Sequence, residues 1–78
     1  MLFKRKQVIS NVDCGDVFYR RMQLSGREEA RVLYVSDDGQ GIPHVHYEGT
    51  LLSCGKKDPQ GHRVLALDVF RRNFQVAH

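Results

Sequence analysis

The sequence predicts a mainly β domain: a small barrel or bent antiparallel sheet of four to five strands, with a short C-terminal helix. Three observations predict it. Apolar and polar residues alternate with period two, Gly-containing breaks interrupt them at hairpin spacing, and the period becomes helical only at the C-terminal end. The 78 residues are the size of one domain, so the chain is read as a single unit over 1–78. A chain this short buries only roughly 60% of its unfolded surface, which leaves little room for a deep catalytic cavity beside a scaffold. An enzyme is therefore not expected, nor a cofactor.

Three breaks divide the chain: Ser25-Gly26-Arg27, the segment from Ser36 to Gly41, and the segment from Gly55 to Gly61. The second holds an Asp-Gly step and the third holds Pro59 and a glycine, both turn chemistry. Between the breaks, Asp16 to Gln23 reads as a strand with Val17 and Tyr19 on one face and Phe18 and Met22 on the other. Glu29 to Ser36 is the clearest strand: Ala30, Val32 and Tyr34 face one way, Arg31, Leu33 and Val35 the other. Ile42 to Ser53 alternates Val45 and Tyr47 against His44, His46 and Glu48, with a bend or bulge expected at Gly49. Arg63 to Leu67 is a short apolar strand. The first ten residues are read either as flexible or as a weak edge strand over Phe3 to Ile9.

At the C-terminal end Asp68 is placed as an N-cap, and Val69, Phe70 and Phe74 fall on one helical face with Arg71, Arg72 and Gln75 opposite. Two turns of helix are marginal alone and must dock on the sheet. Leu33, Val35, Leu65 and Leu67 would otherwise leave one sheet face too apolar for water, and the alternative cover for it is a second copy of the chain.

The net charge is +3, a mild basic bias that suits nucleic acid or an acidic partner. No apolar run approaches the ~20 residues that span a bilayer. The basic start Lys4-Arg5-Lys6 leads into Gln7, Val8, Ile9, Ser10 and Asn11, so a secretory signal is not expected. With only two cysteines, Cys14 and Cys54, the expectation is a cytoplasmic protein with reduced, buried or half-buried thiols.

Gly15-Asp16-Val17, the run from Glu29 to Val35, then Asp38 and Val45-His46-Tyr47 resemble the strand grammar of SH3-like small barrels of the Tudor and KOW kind. The resemblance spans about half the chain and implies an SH3-like binding module. An aromatic cage like that of a methyl-lysine reader would draw on Tyr19, Tyr34 and Tyr47, two of which read onto core-like faces. The segment Gly41 to Tyr47 also resembles a small bacterial family, to which no function attaches.

His44-Val45-His46 is the most chemical-looking motif. Residues i and i+2 of a strand share a face, so both imidazoles can reach one metal, and Glu48 continues that face. His62 or Cys54 would have to complete the set, and zinc sites usually show fuller ligation, so no metal is expected. Without Cys-x-x-Cys spacing the cysteines form no zinc ribbon. Asp37-Asp38-Gly39 lacks the spaced oxygens of a calcium loop and reads as a turn.

The basic residues carry the functional expectation. Arg20 and Arg21 are adjacent on a strand, so they point to opposite faces. Arg31 and Arg63 read as outward residues of neighbouring strands. With His44 and His46 they form a face suited to phosphates and stacked bases, flanked by Arg71 and Arg72 on the helix. The expected function is a non-enzymatic module binding nucleic acid or a nucleic-acid-associated protein. The alternatives are an adaptor or homodimer using the apolar face, and a metal-binding protein centred on His44 and His46. Metal analysis separates the last: the purified protein should carry no stoichiometric zinc. One equivalent, lost on His44→Ala, would establish the metal reading instead.

Overall fold

The computed structural model describes residues 12–22, 26–37 and 39–76. In chain order they form β1 (Val17–Arg21), β2 (Arg27–Asp37), β3 (Pro43–Ser53), β4 (Lys56–Ala66), α1 (Leu67–Asn73) and β5 (Gln75–Val76). All pairings are antiparallel, in the order β4-β3-β2-β1-β5. Among the described residues the domain is mainly β with one short helix, and the sheet is open, with β4 and β5 as its edges. Among the described residues no helix is long and apolar enough to cross a membrane. The strand expected over Phe3–Ile9 lies outside the described residues.

The segment expected to break the chain at 55–61 is instead the first half of β4. The turn is tighter than expected: Ser53 pairs with Lys56, leaving Cys54 and Gly55 as a two-residue loop. Both have positive φ (49° and 76°), the type I′ geometry that matches strand twist. Pro59 is tolerated because β4 is an edge strand, where a missing N–H need cost no ladder bond. The register shifts between Gly49 and Thr50, whose partners are Gly61 and Pro59, so Gln60 is an extra residue. The irregularity expected at Gly49 is there, and the partner strand carries the insertion.

A second shift lies between Val32 and Tyr34. Val32 pairs with Tyr47 and Tyr34 with His46, which leaves Leu33 as the additional residue. One inserted residue reverses the alternation beyond it. Ala30 and Val32 are buried as expected, but Tyr34 moves to the opposite face and is 49% exposed. Val35 takes the core-side position opposite Val45.

The helix also begins earlier than expected, at Leu67, with Ala66 in the cap position and no side-chain cap. Asp68 lies in the first turn and Arg71 and Arg72 in the last, so the charges complement the helix dipole at both ends. Phe70 seats the helix on the sheet, edge-on to Phe18 and Tyr47, and Phe74 stacks on Phe70 at 4.5 Å. These rings, with Ala30, Val32 and Val45, form the buried core, and Leu65 and Leu67 pack against it. The apolar face is therefore covered from within the chain.

That face also buries a charge. Glu28 is 2% exposed and accepts hydrogen bonds from Arg20, at 2.8 Å from Nε and 2.7 Å to Nη2. Arg63 Nε stands 3.9 Å from the other carboxylate oxygen. Gly49 makes room for it: a Cβ there would lie 2.6 Å from Glu28 Oε2. Arg20 also covers the Phe74 ring at 5.0 Å, joining the ion pair to the aromatic core.

Two outcomes follow from this packing. Phe74→Ala should cost ~3–5 kcal/mol and leave the domain largely unfolded by circular dichroism, and wild-type melting would show that the helix does not hold the fold. At Tyr47, burial first and then the Glu28 charge raise the phenol above its ordinary 10.0, against the opposing effect of Arg20 and Arg63. The folded state keeps the proton that the unfolded chain releases, so stability is full below the ordinary value and falls as pH rises beyond it. Melting temperature followed from about pH 8 to 11 should drop less in Tyr47→Phe than in the wild type. Equal drops would remove Tyr47 as the cause.

Candidate nucleic-acid interface

Directly paired residues of neighbouring strands point to the same side, so the register defines the face opposite the helix. One row across it reads Arg21, Arg27, Leu52 and Lys57. The next reads Tyr19, Glu29, Thr50 and Pro59, and a third Val17, Arg31, Glu48 and His62. Beyond the β2 bulge come Tyr34, His46 and Val64, then Ser36, His44 and Ala66.

Aromatic and imidazole rings cluster in the middle of this face. Tyr34 stacks on His46 with centroids 4.2 Å apart and planes 15° from parallel. His46 Nδ1 lies 3.0 Å from His62 Nε2, and its Nε2 lies 3.1 Å from Ser36 Oγ. Both ring nitrogens of His46 are thereby engaged, which holds the imidazole flat against the phenol. Tyr34 keeps half its surface in water, a ready platform for another ring. His44 shares the face, but its Nδ1 is 3.0 Å from the Ile42 carbonyl and its place beside His46 is taken by His62.

The expected arginine pair is not brought together. Arg31 lies on this face, where its Nη2 donates to Glu48 Oε1 at 3.0 Å, and remains 60% exposed. Arg63 pairs with Tyr47 on the core side and reaches toward Glu28. The strands bearing them are also not neighbours, because β3 lies between. Alternation within Arg63 to Leu67 already places Arg63 on the face of Leu65, and only its charge suggests an outward residue. Arg71 and Arg72 are on α1, which covers the other face. Of the expected set, Arg31, His44 and His46 share one surface.

Arg20 and Arg21 do diverge as adjacency requires: Arg20 turns to Glu28, and Arg21 is exposed on the outer face. Sequence alone assigns Arg27 and Lys57 no binding role, and suggests Tyr34 and His62 only for an aromatic cage and a metal site. Only cross-strand register reveals that Arg21, Arg27 and Lys57 stand in one row, spaced by strands ~4.8 Å apart. Arg27 lies over the Tyr19 ring at 4.5 Å, and Tyr19 donates to Glu29 at 3.2 Å. Burial, followed by that hydrogen bond and the Glu29 charge, raises the Tyr19 phenol above its ordinary value, with Arg27 opposing.

Among the described residues, no group of three or more His, Cys, Asp or Glu is placed to hold a metal ion. Cys14 and Cys54 are both free and exposed, not buried as expected. Both occupy turns rather than strand interiors. The arrangement offers exposed π-surface on the same face as guanidinium and ammonium groups. Set against known proteins, the chain matches no family model, no curated protein and no solved structure.

Proposed function

We propose that this domain is a nucleic-acid-binding module that holds a single strand across the outer face of its sheet. The observation that carries the reading is the half-exposed Tyr34–His46 stack, with Arg31 in the next row of the same face and Arg21, Arg27 and Lys57 in the row at that face's far end. Base–aromatic stacking on a basic surface is how sequence-tolerant binders hold single strands. Double-stranded RNA or DNA would present its phosphates but keep its bases stacked on one another, leaving the Tyr34 platform unused. The chain order also supports an SH3-like reading of the fold: four strands in a meander, a short helix, and a last strand returning to the first. The Tudor and KOW resemblance rests on strand grammar. A cage of Tyr19, Tyr34 and Tyr47 has no support, since Tyr47 is buried on the opposite face.

The adaptor or homodimer reading has less to draw on. Leu65 and Leu67 are taken up by the core, which leaves Val35 and Leu33 of the apolar set.

Fluorescence anisotropy with single-stranded oligonucleotides tests the proposal. Tyr34→Ala should weaken binding by ~1–3 kcal/mol with little change in melting temperature, because the ring is half-exposed. Arg31→Ala should flatten the salt dependence by roughly 0.7 in log–log slope, the share of one single-strand phosphate contact. Arg63→Ala is the control: it should lower stability through Glu28 and leave the slope unchanged. Wild-type affinity no better than millimolar at ~50 mM salt would sink the proposal.

A further inference from the structure

We infer that the cleft beside the β1–β5 edge is a subsite for the terminal phosphate monoester of the bound strand. The inference rests on the nucleic-acid reading and adds a specificity to it. The cleft encloses about 660 Å³ and is lined by Tyr19, Arg20, Arg21 and Arg27, with Gly26 and Gln75. Three arginines line it and no acid does.

The charges there do not cancel. Arg20 is neutralised by Glu28. Arg21 and Arg27 are direct cross-strand partners, an arrangement of like charges that costs a sheet stability. Neither forms an ion pair among the described residues. Glu29, the acid next along β2 on that face, is hydrogen-bonded by the Tyr19 hydroxyl. Two guanidinium groups without an ion pair among the described residues therefore face one cleft.

That charge count selects the ligand. A phosphodiester inside a strand carries one negative charge. A terminal monoester carries about −1.5 to −2 near neutrality and offers three acceptor oxygens. Two guanidinium forks match the dianion in charge and in hydrogen-bond number. Placement agrees: Arg21 and Arg27 are the last residues of β1 and the first of β2, so the row stands where the outer face ends. Arg27 is held over the Tyr19 ring, which limits the freedom its side chain has to lose on binding.

Three oligonucleotides of one sequence, about twelve nucleotides long, test the subsite: 5′-phosphorylated, 3′-phosphorylated and unphosphorylated, each labelled internally. One of the phosphorylated forms should bind roughly tenfold more tightly than the unphosphorylated form, the effect of a pair of charge-assisted contacts. Arg21→Gln should erase that difference while circular dichroism stays unchanged and melting does not fall, because Arg21 is exposed, makes no ion pair among the described residues and faces the like charge of Arg27. Equal binding of all three by the wild type, with Tyr34→Ala still weakening each, would overturn the subsite and leave the outer-face reading standing. A preference that survives in Arg21→Gln would overturn it too. Failure of every oligonucleotide to bind would remove the reading beneath it, and the subsite with it.

Discussion

A single sheet with one dry face needs a cover, and here seven residues of helix supply it. Phe70 is fully buried because three rings close around it: Phe18 and Tyr47 from the sheet, and Phe74 from the end of the helix. So short a helix would not persist in water by itself. Its stability comes from the aromatic seat, and the return of β5 to β1 comes from the helix. If the seat is lost, β5 has no reason to lie where it does, and the sheet has no second layer. The separation into a covered face and a wet one, on which any reading of the outer surface depends, follows from that contact.

The charges are sorted by the same division. Arg20 and Arg63 turn inward and share Glu28, a carboxylate that would be costly to bury unaccompanied. Gly49 is the steric condition for that arrangement. Arg21, Arg27, Arg31 and Lys57 turn outward, and among the described residues only Arg31 of these meets an acid at ion-pair distance. Adjacent residues such as Arg20 and Arg21 thus do different work, one holding the interior together and the other charging the surface.

What was legible in the sequence was local. The strand from Glu29 and the strand from Ile42 show clean alternation, and the change of period near Phe70 announces a helix. Hidden were the features that depend on how two strands meet. The Leu33 bulge reverses the alternation of β2 halfway along, so Tyr34 reads as core and is half-exposed. Arg63 reads as outward because it is charged, but it shares the face of Leu65 and reaches toward Glu28. Pro59 and two glycines make 55–61 look like a turn, although only Gly55 lies in the loop and the edge strand carries Pro59 and Gly61. The candidate site was legible in Arg31, His44 and His46. Its remaining members become neighbours only through register, which no single stretch of sequence encodes.

The eleven-residue β4 has a further consequence. A long edge strand exposes unpaired backbone groups that could recruit a strand from another molecule. Lys56 and Lys57 put charge on it, Pro59 removes a donor, and the extra residue Gln60 breaks its straight run before Gly61. The features that disguise this segment as a turn are the ones that make it a poor template for self-association. The domain can extend β3 with a full-length partner strand while discouraging growth of the sheet into an aggregate.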